Sequence, residues 1–229
     1  MAKFSRLTVL NTMLDVGLVP LFYHEDIEIA TKIIQACLNG GTRCLEFTNR
    51  GDGAHLVFEQ LVSCFKDDPR LILGAGTVVD AGTAILYMQL GANFIVGPTL
   101  NDEIAYACNR RKVAYIPGCG NVNDISHAET LGVEICKFFP GDSMGGPNFV
   151  RSISGPMPWS NLMPTGGVAF KEENIREWFL AGVACVGIGS NLITKEAVAN
   201  GNFEDTTIKV KRVLSWISSA RQERAANKK

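Results

Sequence analysis

A chain of 229 residues, 46% hydrophobic and 20% charged, is long enough for one domain with a large core. Its net charge of −1 and pI near 6.3 give no basic excess of the kind that nucleic acids or anionic membranes select, so neither is expected as a partner. No apolar run approaches the roughly 18 residues that cross a bilayer, and the seven cysteines, odd in number and without C-x-x-C, read as free core thiols of a reducing cytoplasm.

The N-terminal MAKFSRLTVLNTMLDVG lacks a continuous apolar core and reads as an amphipathic helix over 1–16 rather than a signal peptide. Eight short apolar runs then follow: GLVPLFY (17–23), TRCLEFT (42–48), LILGAGT (71–77), NFIVGP (93–98), KVAYIP (112–117), EICKFFP (134–140), NLMPTGG (161–167) and ACVGIGS (184–190). Their centres lie roughly 20 to 28 residues apart, the length of a βα unit. The segments between them are amphipathic. IEIATKIIQACLNGG ends on a glycine pair, as a helix stop does, and VVDAGTAILYMQLGA, NDEIAYACNRR and NVNDISHAETLG each begin near an Asp or Asn cap. In the tail, 202–229, Val210, Val213, Leu214 and Ile217 recur at helical spacing and predict a docking helix with a frayed basic end. No linker interrupts the chain, so 1–229 is read as a single domain.

Eight strand–helix repeats predict an α/β fold, a (β/α)8 TIM barrel with an extra N-terminal helix closing its bottom. An open Rossmann-type sheet would want G-x-G-x-x-G after the first strand, and that strand ends in FYHEDIE. Barrel chemistry sits at the C-terminal ends of the strands. Alternation puts Ile135, Lys137 and Phe139 on one face of strand six, and Cys44, Glu46 and Thr48 on one face of strand two. If the more apolar faces meet the helices, Lys137 and Glu46 both point into the barrel. Two readings stand. The pair is a structural ion pair, which burial makes costly. Or Lys137 is a nucleophilic amine whose lone pair desolvation frees, with Glu46 moving protons.

Arg50, just past strand two, is either an ordinary loop arginine or a clamp for a substrate carboxylate. Thr77 is either a hydroxyl donor or a strand-end cap. The glycines of PTGG (164–167) and GIGS (187–190) either let the loops turn tightly or leave N–H groups open for a phosphate, helped by a helix starting after Ser190. No H-x-H, H-E-x-x-H or His/carboxylate cluster sits at the strand ends, so no resident metal is expected.

LEFTNR, GAGTV, VGPTL, IPG, KFFP, PTGG and GIGS, in this order and spacing, closely resemble the class I aldolase family acting on 2-keto-3-deoxy-6-phosphogluconate (KDPG) and 4-hydroxy-2-oxoglutarate (KHG). The resemblance runs from about Gly17 to about Ile193. It implies that Lys137 forms a Schiff base with the 2-keto group and that Glu46 is the general acid/base. It implies that Arg50 and Thr77 hold the carboxylate, that Pro98 and Phe139 pack around the imine, and that Thr165 lies near the sugar hydroxyls. Gly166, Gly167, Gly189 and Ser190 would hold the phosphate. The implied reaction splits KDPG into pyruvate and glyceraldehyde 3-phosphate, or KHG into pyruvate and glyoxylate. The covalent imine is then the only cofactor chemistry, and the assembly is a homotrimer in the cytoplasm. The chain departs from the family at Asn49, where leucine is common, at Gly141, where alanine is usual, and in a longer GDSMGGPNF segment. Two other functions fit the barrel: a phosphosugar isomerase or epimerase, which would not need Lys137, and a phosphometabolite-binding protein without turnover.

Overall fold

The structure, a computed structural model, describes residues 2–227. Ser5 caps α1 (Arg6–Val16) by accepting from the Thr8 N–H, and Gly17, at φ 78°, ends it. The chain then alternates. β1 (Leu18–Phe22), α2 (Ile27–Gly40), β2 (Cys44–Thr48), α3 (Ala54–Cys64), β3 (Ile72–Gly76), α4 (Ala81–Gln89), β4 (Phe94–Val96) and α5 (Asp102–Arg111) form its first half. β5 (Ala114–Ile116), β6 (Gly118–Cys119), α6 (Val122–Thr130), β7 (Cys136–Phe138), α7 (Gly146–Ser154), β8 (Leu162–Pro164), α8 (Glu172–Ala181), β9 (Val186–Ile188), α9 (Lys195–Ala199) and α10 (Phe203–Asn227) complete it. The caps read from sequence are in place: Asp80, Asn101 and Asn121 each accept a backbone N–H of the helix that follows, and Asp26, not singled out from sequence, caps α2 in the same way.

All the strand pairs are parallel, and the sheet curls. One run has the order β5-β4-β3-β2-β1-β9, the other β6-β7-β8. The predicted fifth strand is divided into β5 and β6 by Pro117, which has no N–H to give to a ladder. Its carbonyl still accepts from the Lys137 N–H at 2.8 Å. A bridge between Thr165 and Gly187, with the Ala184 N–H donating to Leu162, ties β8 to β9.

Two buried clusters divide the side chains as alternation requires. Cys44, Ile72, Phe94, Ile116, Ile135 and Met163 pack together on the inner face, with Val9, Leu10 and Met13 of α1 against them. Leu45, Phe47, Leu73, Tyr115, Cys136 and Phe138 point the other way, into the layer beneath the helices. α10 buries Val210, Val213, Ile217 and Ala220, and packs on α2 and α8. It runs unbroken to Asn227. The tail expected to fray is therefore helical through Asn227, and residues 228–229 lie outside the described residues.

Candidate active site

All five residues of β2 are buried, and Glu46, 1% exposed, sits between Leu21 of β1 and Gly74 of β3 in register. It shares the inner face with Cys44. Its side chain crosses the next glycine: a Cβ on Gly76 would lie 1.8 Å from Glu46 Oε1. Neither carboxylate oxygen has a hydrogen-bond partner. A buried polar atom left without a partner is costly, and such groups mark places where a ligand or water completes the set.

Lys137 is the middle residue of β7, opposite Gly118 and Met163, and is 6% exposed. Its Nζ stands 5.1 Å from the centroid of the Phe139 ring, two residues along on the same face. No ion pair among the described residues includes Lys137 or Glu46, so the structural-ion-pair alternative is not the arrangement found. Two groups that normally carry opposite charges are thus buried in the same interior without neutralising one another by contact.

A cavity of about 790 Å3 is lined by Thr48 and Phe139, two residues past Glu46 and Lys137. Seven of the residues singled out from sequence line it: Arg50, Phe139, Thr165, Gly166, Gly167, Gly189 and Ser190. Pro98 lines a separate hollow of about 410 Å3, with Phe139 forming a wall of both. Lys137, Glu46 and Thr77 line neither. Thr77 is half-buried just past β3 with φ at 59°, a left-handed conformation that a β-branched residue rarely adopts. Strained backbone of this kind concentrates at functional positions.

On the cavity wall, Gly166 and Gly167 take φ 81° and 75° in succession, which only glycine does cheaply. Among the described residues, the N–H groups of Gly167 and Ser190 donate to no carbonyl. Open N–H groups on adjoining loops form a concave seat for an anion. Gly187 makes room for the Thr165 hydroxyl, which a Cβ there would approach to 2.5 Å and which is buried without a partner. The helix expected straight after Ser190 is not there. Residues 190–193 form a turn in which the Leu192 and Ile193 N–H groups both donate to Gly189, and α9, five residues long, starts at Lys195 with Thr194 as its cap.

Sequence reasoning assigned no part to Tyr23, His24, Asn191 or Lys195, all of which line the cavity. The first two stood in view as the end of the first strand, FYHEDIE. Among the described residues there is no group of three or more His, Cys, Asp or Glu side chains placed to hold a metal, and no helix long and apolar enough to cross a membrane.

The fold and its relatives place the chain among the class I aldolases, carbon–carbon lyases. The chain belongs to the KDPG and KHG aldolase family, whose model matches residues 9–209. A 2-dehydro-3-deoxy-phosphogluconate aldolase of Treponema pallidum is 27% identical over 212 residues, covering 92% of this chain and 98% of that protein. The KHG/KDPG aldolase of Escherichia coli K12 is 30% identical over 190 residues, covering 82% and 86%. Among solved structures, the KDPG aldolase of Legionella pneumophila, with pyruvate captured as a covalent carbinolamine, superposes with a TM-score of 0.81 at 29% identity, covering 90% of this chain and 97% of that one. The KDPG aldolase of Zymomonas mobilis ZM4 with 3-phosphoglycerate gives 0.78 at 27%, covering 91% and 95%.

Proposed function

We propose that this chain is a Schiff-base-forming aldolase that splits KDPG into pyruvate and glyceraldehyde 3-phosphate, and KHG into pyruvate and glyoxylate. One observation carries the reading: Lys137 and Glu46 are buried on the same inner face, and neither is held in an ion pair.

Lys137 Nζ attacks the 2-keto carbon. The carbonyl oxygen leaves as water and a protonated imine forms. The imine draws the electrons of the C3–C4 bond into an enamine as the C4 hydroxyl proton passes to Glu46, and the aldehyde leaves. Glu46 returns a proton to C3, and water hydrolyses the imine to release pyruvate and the free amine. Arg50 grips the carboxylate in two parallel hydrogen bonds, and Thr77 adds a hydroxyl. Pro98 and Phe139 pack around the imine and keep water from it. Thr165 meets the sugar hydroxyls. Gly166, Gly167, Gly189 and Ser190 take the phosphate on their N–H groups.

The electron sink is the imine, so a metal has no step to perform. The curled sheet is read as a closed (β/α)8 barrel, with β5 and β6 as one strand kinked at Pro117 and the Thr165–Gly187 bridge as the closing seam. α1 then plugs its bottom and 1–229 is one domain. A homotrimer in the cytoplasm follows from the family resemblance.

A coupled lactate dehydrogenase assay for pyruvate tests the function. Turnover of KDPG or KHG that is unaffected by a chelator and abolished in Lys137→Ala is expected. Undiminished turnover in Lys137→Ala, or turnover lost to the chelator and restored by a divalent ion, would overturn it. The isomerase reading predicts conversion of a phosphosugar without release of pyruvate.

A further inference from the structure

Arg50 is exposed at the cavity wall and joins no ion pair among the described residues, so no contact of its own side chain aims the guanidinium. A two-pronged grip on a carboxylate depends on orientation, which makes the backbone beneath Arg50 the determinant. That backbone is held on both sides. The Asn49 N–H donates to Gly76 at 2.8 Å, and the Arg50 N–H donates to Thr48 at 2.9 Å. The Tyr87 hydroxyl, projecting from α4, donates to Asn49 Oδ1 at 2.9 Å. On the far side, the Tyr23 hydroxyl fills the space of a Cβ on Gly51, 2.5 Å away, and Gly51 has φ 144°.

Tyr87 is a firm anchor. It is fully buried and its ring meets Phe58 edge to face, with centroids 5.0 Å apart. Burial pushes its hydroxyl up to about 12, so it stays protonated and remains a donor across the neutral range. A leucine at position 49 would have no atom to receive that bond.

We propose that Asn49 and Tyr87 are positioning residues: their hydrogen bond fixes the strand-end turn that aims Arg50 at the substrate carboxylate. This rests on the role given to Arg50 above. The effect is on capture of the carboxylate and leaves the chemistry at Lys137 untouched.

The test is a mutant cycle on the KDPG cleavage reaction, using Tyr87→Phe, Asn49→Leu, Arg50→Ala and their combinations. Tyr87→Phe should raise KM roughly five- to tenfold, the scale of one oriented hydrogen bond, with kcat within about twofold. Asn49→Leu should do the same, and the pair together should do no more. In the Arg50→Ala background neither should raise KM further, whereas a merely structural role would cost the same in both backgrounds. Equal KM rises with and without Arg50, or an unchanged KM in both single variants, overturn the proposal. Asn49→Leu alters an existing turn outside the core, so it reports even if Tyr87→Phe folds poorly. Borohydride trapping of pyruvate on Lys137 in parallel separates the two readings. A trapped adduct with unchanged KM refutes the tie alone, and no adduct in the parent protein refutes the aldolase reading and the tie with it.

Discussion

Gly76 makes room for the Glu46 carboxylate by lacking a side chain. A Cβ there would meet Glu46 Oε1 at 1.8 Å, and in a fully buried strand the carboxylate has nowhere to retreat. Gly76→Ala is therefore expected to displace Glu46 and lower kcat by at least about 100-fold, the cost of moving a reacting group by an ångström. A Gly76→Ala protein with parental kcat would show that Glu46 is not where the protons move. The lysine and carboxylate were legible because a strand alternates strictly: one polar residue in an apolar run tells which face it takes. The Tyr87–Asn49 bond was not legible. Its partners are 38 residues apart, and nothing local distinguishes a tyrosine that packs from one that also aims a loop. The same holds for Arg6, whose guanidinium joins Glu134 at 2.7 Å and Asn109 at 2.6 Å across more than 100 residues.

Among the elements, the helices were read by their ends. Asp80, Asn101 and Asn121 cap where an oxygen is needed, and Gly41 closes α2 at φ 106°. Pro117 interrupts the ladder between β5 and β6 because its missing N–H leaves one position empty, though the chain direction continues. The turn after Ser190 replaced a helix because Gly189 accepts two N–H groups from residues close behind it. Between elements, the contact of α2 with α10 is tight enough to test. Gly40 ends α2, and a Cβ on it would come within 2.5 Å of Val210 Cβ. Helix propensity alone favours alanine over glycine by about 1 kcal/mol. Overpacking a filled contact costs about 1–3 kcal/mol, so the clash should win and Gly40→Ala should lower Tm. A raised Tm in thermal unfolding would mean that α10 sits more loosely on α2 than the structure has it.

Across the whole molecule, the layout of an inner cluster, a curled parallel sheet and an outer layer under helices was visible in the spacing of apolar runs. The interior also sets how the molecule responds to alkali. Burial pushes the Cys37, Cys108 and Cys185 thiols up to about 12 from an ordinary 9.0, and the Tyr87 hydroxyl to about 12 from 10.0. These acids ionise more easily unfolded than folded. Their contribution to stability is intact below about pH 9 and drains away as pH rises towards about 12, because the unfolded chain gives up protons first. Urea midpoints from pH 7 to 11 should hold level and then fall above about pH 9. A midpoint that rose across that range would contradict the buried assignment of these groups.

If Lys137 is buried in order to react, pyruvate and borohydride will mark it. Pyruvate is added to the intact protein, borohydride reduces any imine, and the digest is mapped by mass spectrometry. One reduced pyruvyl adduct is expected, on Lys137, absent from Lys137→Ala and from the protein treated with borohydride alone. A folded protein that yields no adduct, or one that carries it on a surface lysine, would show that Lys137 is not the nucleophile.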